Sequence, residues 1–165
     1  MEQSINFRKA TDQDLPEIEE IRRKAFAPVF ASFRSILGEE IYKRAQEPED
    51  LQQEDLLRSM LMPDSPWAVY VAECSSRVVG FVSVQLNVET KVGEIGLNAV
   101  HPEHAGKGVG TEMYEFSLSL MRSAHMRVAT VATGGDTSHA PARRAYEKAG
   151  FDVQIPSVWM CKIIE

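Results

Sequence analysis

Between residues 99 and 116 the chain reads AVHPEHAGKGVGTEMYEF, with glycines at 106, 108 and 110 and Lys107 among them. An apolar run precedes this stretch and a helix-period pattern follows it. Glycines at alternate positions leave the backbone bare, since no Cβ blocks approach to the peptide N–H groups and left-handed dihedrals are open to each. Successive amides can then converge on an anion, the start of the following helix adds partial positive charge, and Lys107 supplies a point charge at the rim. A pyrophosphate suits these features. A Walker-type loop does not fit, because GxxxxGK must be followed by Ser or Thr, whereas here Gly108 follows Lys107 and position 101 is His101. A dinucleotide fingerprint begun at Gly106 needs a glycine where Thr111 stands, and belongs to an early βαβ unit. A turn that only joins strand to helix needs one glycine, not three.

The elements that position this loop follow from periodicity. Residues 5–11 alternate weakly and predict a strand. Thr11 with Asp12 and Asp14 then offers a helix start, and Leu15, Ile18, Ile21 and Ala25 predict an apolar face laid on a sheet, with Glu17, Glu19, Glu20, Arg22 and Arg23 outward. Residues 27–62 carry two more helical patterns, FASFRSILGEEIYKRAQ and DLQQEDLLRSMLM, with a turn expected at EPED between them. WAVYVAEC and VVGFVSVQLN read as a hairpin around SSR, and VGEIGLNAV as a third strand leading into the glycine loop. After the loop, Val109, Met113, Phe116 and Leu120 share a helical face. RVATVAT then reads as a buried strand, SHAPARRAYEKAG as a helix stopped at Gly150, and FDVQI and VWMCKII as two short strands. The order is that of a mixed α/β chain, expected to be a single domain over residues 1–165.

Composition excludes several classes. Apolar stretches are strand-length, short of the roughly 20 residues of a membrane span, and the first residues lack a basic start with an apolar core behind it. A cytoplasmic protein without a membrane partner is the expectation. A formal charge of −6 argues against nucleic acid and weakly favours cationic small partners. Cys74 and Cys161 form no CxxC pair, and His101, His104 and His125 make no metal-ligand spacing, so no metal is expected.

The loop and its surroundings resemble the GNAT superfamily of N-acetyltransferases. Val100-His101-Pro102 and Gly106-Lys107-Gly108-Val109-Gly110 match the superfamily's central motif, with Ala105 in place of the usual Gln or Arg. FRKATDQDLPEIEEI is similar to its opening strand and helix, and RRAYEKAGF to its C-terminal helix with a tyrosine before Gly-Phe. Residues 27–62 align poorly, in the part where members differ because it shapes the acceptor pocket. The resemblance implies a central twisted mixed sheet of six or seven strands, flanked by about four or five helices and splayed open after the fourth strand. It implies acetyl-CoA as donor, with the backbone of Asn98, Ala99 and Val100 bonding the pantetheine arm. It also implies that the amides of the segment from Ala105 and Gly106 through Lys107, Gly108, Val109 and Gly110 to Thr111 hold the pyrophosphate.

The chemistry implied is transfer of an acetyl group from the thioester to a primary amine of a small molecule or peptide by direct attack in a ternary complex. Such transfer needs a neutral amine, a stabilised oxyanion and a proton for the departing thiolate. By the resemblance Glu94 stands at the position of a general base. An exposed strand glutamate is the alternative, and Glu39, Glu40 and Glu89 compete for the role. Tyr146 stands at the tyrosine position, where a hydroxyl would protonate the thiolate and meet the donor; packing on the sheet is the alternative. His139 stands where relatives have an asparagine beside the pantetheine arm, and can bind the donor, act as a base or cap the helix beside Asp136 and Ser138. A bulge around residues 98–100 would free N–H groups for the oxyanion. The resemblance makes a homodimer possible. A non-catalytic acyl-CoA-binding module is the other reading of the same loop, and Glu94 with Tyr146 stands against it.

Overall fold

A computed structural model describes residues 4–164. The alternation near the N-terminus forms strand β1 (Ile5–Lys9), and a single 3-10 turn leads into helix α1 (Leu15–Ile41). Arg8 pins that corner: its guanidinium grips both Asp14 carboxylate oxygens at 2.8 Å and reaches Glu73 at 2.9 Å. Arg22, expected outward, is buried. It pairs with Glu19 and lies over the Phe26 ring, and its Nη1 has no partner among the described residues.

The variable region departs most from expectation. The chain remains helical past residue 27 up to Gly38, whose φ of 75° breaks the regular geometry inside α1. A π turn (Tyr42–Gln46), helix α2 (Glu47–Leu51) and helix α3 (Gln53–Met60) follow. EPED is therefore helical and not a turn. Pro48 sits in the first turn of α2, where its missing N–H is no loss, and the surrounding carboxylates suit a helix N-terminus.

The sheet comprises β1, β2 (Trp67–Cys74), β3 (Arg77–Asn87), β4 (Val92–Val100) and β5 (Val128–Val131), in that spatial order. The first three junctions are antiparallel and β4–β5 is parallel. Ser75 and Ser76 both take positive φ at the β2–β3 hairpin, as a tight primed turn requires. Helices α4 (Val109–Ser123) and α5 (Ala140–Lys148) complete the chain of elements. On one face Met113, Tyr114, Met121 and Tyr146 pack on Val82, Val84 and Ile95; on the other, Ile18, Ile21 and Leu57 pack on Val69, Val71 and Phe81. The central strand β3 is thus buried on both sides, which explains its near-continuous apolar run.

Five strands are present among the described residues, not six or seven. FDVQI and VWMCKII carry strand alternation but form no strand, because a strand needs an edge to pair with and residues 152–164 lie exposed, away from one. Among the described residues no helix is long and apolar enough to cross a membrane.

Candidate functional site

Strand β4 is the backbone of the site. It lies beside β5 only over residues 92–95, after which the two strands part. From Gly96 to Val100 one edge of β4 is held by β3, and the other faces the opening. The departure coincides with a bulge, in which Gly96 and Leu97 together face Ser83, whose hydroxyl donates to the Leu97 carbonyl at 3.0 Å. Only glycine fits at 96: a Cβ there would lie 2.5 Å from the Trp67 ring and 2.7 Å from Ser83 Oγ. The bulge expected near residues 98–100 therefore lies just before them. It adds local twist and turns the strand away from its neighbour.

The glycine loop follows directly. His101 N–H donates to Val79 O at 2.8 Å, fixing the loop to the end of β3, and Pro102–His104 makes one 3-10 turn. Gly106 and Gly108 have φ of 73° and 88°, and a Cβ at either would meet nothing within 4 Å. They are required by backbone conformation on an open surface, not by crowding. Gly108 is the N-cap of α4, whose buried Val109 anchors the loop to the core. Gly110 differs, since a methyl there would make ordinary contacts with Val100 and Ala145. Lys107 is exposed, Thr111 lies in the first turn of α4, and Ala105 is extended. The bare left-handed loop at the start of a 15-residue helix fits an anion such as a pyrophosphate.

Below the loop, three side chains from three elements meet. Tyr114 of α4 donates its hydroxyl to Asn98 Oδ1 at 2.9 Å, and Asn98 Nδ2 donates to the Tyr146 hydroxyl of α5 at 3.1 Å. The two tyrosine rings lie 4.4 Å apart, and Phe151 meets Tyr146 edge-on at 5.9 Å. Burial, with the Tyr146 hydroxyl nearby, pushes the Tyr114 phenol far above its ordinary value, so it stays a neutral donor. Tyr146 accepts from Asn98 and keeps its own proton for a further partner. Sequence reasoning assigned Asn98 a backbone role only and missed Tyr114. The signal for Tyr114 was a polar-tipped aromatic on the buried face of α4, beside Met113 and Ser117.

A second cluster stands on the loop after β5. Asp136 accepts from Ser138, His139 and Ser32, the last from α1 at 3.0 Å. Burial alone would raise the Asp136 carboxyl, but the hydrogen bonds from Ser138, His139 and Ser32 hold it well below the carboxylate range. His139 Nδ1 faces Asp136, and its ring lies 5.8 Å from Phe33. Gly134 has no room for a side chain, because a Cβ would strike His139 and Asp136, and Arg143 ties the loop by bonding the Asp136 carbonyl at 2.7 Å.

The candidate glutamates scatter. Glu94 is exposed, opposite Gln85 on β3 and Thr130 on β5. Its neighbours Gly93 and Ile95 face α4, so by strand alternation it points to the other face of the sheet from Asn98 and Tyr146. Glu39 and Glu40 are exposed and paired with Lys43 and Arg44. Glu89 lies in the β3–β4 turn, at the far end of β4 from the loop. Among the described residues no cluster of three or more His, Cys, Asp or Glu gathers to hold a metal.

Residues 19–151 match the model of the acetyltransferase (GNAT) family. The chain belongs to that family. The splayed five-stranded mixed sheet with flanking helices is the GNAT fold, and solved structures agree at the level of fold. The PaiA N-acetyltransferase of Thermoplasma acidophilum in complex with coenzyme A superposes with a TM-score of 0.71 at 19% identity, covering 93% of each chain. The ribosomal-protein-S18-alanine N-acetyltransferase of Escherichia coli gives 0.67 at 14% identity, over 92% of this chain and 80% of that one. The aminoglycoside acetyltransferase AAC(6')-Iy, in complex with a bisubstrate analogue, gives 0.63 at 12% identity, over 98% and 99%. No curated protein matches this GNAT chain by sequence.

Proposed function

We propose that this GNAT-family protein, acting as one domain, transfers the acetyl group of acetyl-CoA to a primary amine of a small molecule or peptide. The observation that carries the reading is the coincidence of the open β4 edge, the bare loop at the start of α4 and the Tyr146 hydroxyl around one opening. The amides of residues 105–111 would hold the donor's pyrophosphate. The backbone of Asn98, Ala99 and Val100 would take its pantetheine arm as an added strand. Ala105 lacks the usual side chain but keeps its N–H, so the cradle retains its backbone donors. His139, on its carboxylate, would flank the same arm.

In the reaction the amine nitrogen attacks the thioester carbonyl, the C–S bond breaks, and the thiolate takes the Tyr146 proton. The ammonium must first lose a proton, and Glu94, on the stretch of β4 still paired with β5 and on the other face of the sheet from Tyr146, is the base proposed, acting through a water. N–H groups of β4 beyond the bulge would meet the oxyanion. Support for an amine acceptor comes from the fold neighbours named as N-acetyltransferases of aminoglycosides and of an alanine.

The test is release of free coenzyme A thiol from acetyl-CoA in the presence of a panel of primary amines, read against the Tyr146→Phe variant. Amine-dependent release that falls in the variant is expected. Tight acetyl-CoA binding without transfer to any amine in the panel would point to the non-catalytic binding module instead. For the base, Glu94→Gln should lower kcat with the acetyl-CoA Kd unchanged; an unchanged kcat places the base elsewhere.

A further inference from the structure

Helix α1 carries apolar side chains on two faces. Ile18, Ile21 and Ala25 lie on the sheet, as a helix packed on one layer requires. Phe26, Phe30 and Phe33 recur at spacings of four and three and mark a second stripe, which begins one residue, and so about 100°, further round the helix. Three of the chain's seven phenylalanines thus crowd a face that packing on the sheet does not use. All three rings are only partly buried.

The stripe borders the opening. Lys24 Nζ lies 3.4 Å from His101 Nε2, beside the glycine loop, and Ser32 donates to Asp136 on the loop after β5 at 3.0 Å. Between these two ties α1 runs past the gap left where β4 and β5 part, over about 12 Å of helix. The Phe33 ring lies 5.8 Å from His139, and Phe30 meets Phe26 edge-on at 6.0 Å. Phe26 packs on the same buried cluster as Trp67 and Leu97, and the Trp67 ring lies against Gly96 at the β4 bulge. A wall of rings therefore leads from the bulge to His139. Trp67, like the phenylalanines, is only partly buried.

The acids that would hold a polycation are engaged elsewhere. In the helical segment that follows the stripe, Glu39 pairs with Lys43 at 3.1 Å, Glu40 with Arg44 at 3.3 Å, Glu47 with Arg34 at 3.1 Å and Glu54 with Arg58 at 3.1 Å. Asp50 accepts from Tyr42 and Gln46, while Glu49 and Asp55 stand in the first turns of α2 and α3. At the wall itself Glu19 is taken by Arg22, and Asp136 by Ser32, Ser138 and His139. A polyamine or an aminoglycoside brings several ammonium groups, each of which loses hydration on entry and must find a carboxylate in return. A lone amine on an apolar body asks for one.

We infer that the acceptor of this chain is an arylalkyl monoamine, its ring held among Phe26, Phe30, Phe33 and Trp67 and its amine turned to the β4 bulge. Rings partly buried on one side offer edge-on and offset contacts to a further ring, and one polar group at the end of an apolar site fixes its orientation. The inference rests on the acetyl-transfer reading and names the class of amine that the opening takes.

Release of coenzyme A thiol from acetyl-CoA is compared for phenethylamine and spermidine, and calorimetry measures the binding of each amine to the full chain with coenzyme A present. Phenethylamine should have the higher kcat/KM by about tenfold or more, the scale of burying part of an aromatic ring. Phe30→Ala should raise both KM and Kd for phenethylamine about tenfold, with kcat and the acetyl-CoA Kd unchanged, whereas Phe30→Leu, which keeps an apolar contact, should stay within about threefold of the parent. Calorimetry separates this inference from the reading beneath it. Phenethylamine that binds, and binds less well in Phe30→Ala, yet receives no acetyl group would contradict the transferase reading and support the aromatic wall. Preference for spermidine, no binding of phenethylamine, or a Kd that Phe30→Ala leaves in place overturns the inference.

Discussion

The two sides of the opening are built from different material. On the loop side the surface is backbone: the free edge of β4, two glycines at positive φ and the first turn of α4. On the α1 side it is side chain. Ser32 reaches Asp136 and Phe33 lies by His139, and behind them in the same region Arg34 stacks on Tyr42, which donates to a buried Asp50 at 2.7 Å. A backbone surface recognises what is constant in a ligand and tolerates most side-chain changes. A side-chain surface is specific and depends on each partner. Under the proposed function, the loop side would take the donor common to the family and the α1 side the acceptor.

The sharpest break of that comparison comes where a side chain enters the loop side. Tyr146→Phe should lower kcat about 100-fold, the scale of a lost general acid, with the acetyl-CoA Kd unchanged by calorimetry. Tyr114→Phe removes the other bond to Asn98 and should cost kcat only a few-fold. Equal losses in the two variants would make Tyr146 a packing residue.

On the α1 side, Tyr42→Phe leaves the Asp50 carboxylate with Gln46 alone, and should cost about 1–3 kcal/mol of stability by urea unfolding. The acetyl-CoA Kd should not move; if it does, the two sides are not independent. Burial, then the hydrogen bond to Asp50, raises the Tyr42 phenol from 10.0 to about 12. Its contribution is thus present below pH 10 and lost as pH rises through about 12, and in Tyr42→Phe that alkaline step should vanish.

Gly108→Val forces a β-branched residue into the left-handed region and should weaken acetyl-CoA by about tenfold, from a strain of about 1–2 kcal/mol. Gly110→Ala should bind nearly as the parent does, because its methyl meets only ordinary contacts. If the two behaved alike, the cradle would not depend on positive φ.

The smallest effect lies away from the opening. The hydrogen bond from Arg8 is the main reason the Asp14 carboxyl falls from 3.8 to about 2, so its contribution is present above pH 4 and lost as pH falls towards 2. Arg8 is 38% exposed and screened, so Asp14→Asn should cost about 1 kcal/mol at pH 7 and nothing measurable near pH 2 in urea unfolding.

What the sequence showed and what it hid divide along the same line. The loop, β4, α4 and α5 were legible because their constraints are local: alternation, helical period, and glycines where φ is positive. The kink at Gly38, the π turn and the helical EPED were not, because they rest on contacts such as Tyr42 with Asp50 that no local pattern announces. The buried Arg22 was misread for the same reason: its burial depends on Glu19 and Phe26. Asn98 was placed by its backbone, and the meeting of its side chain with Tyr114 and Tyr146 required three elements to fold together. The terminal alternation predicted two strands that the structure does not form, because a strand depends on an edge as well as on a pattern.

The central claim is that the bare loop and open β4 edge receive acetyl-CoA. The direct measurement is the melting temperature of the full chain with acetyl-CoA, beside ATP and NAD. At 100 times Kd a ligand adds about 2.7 kcal/mol, a rise of roughly 5–10 °C for a chain of this size. A rise of that order with acetyl-CoA alone, diminished in Gly108→Val, is the predicted result. No rise, or an equal rise with ATP, would contradict the account.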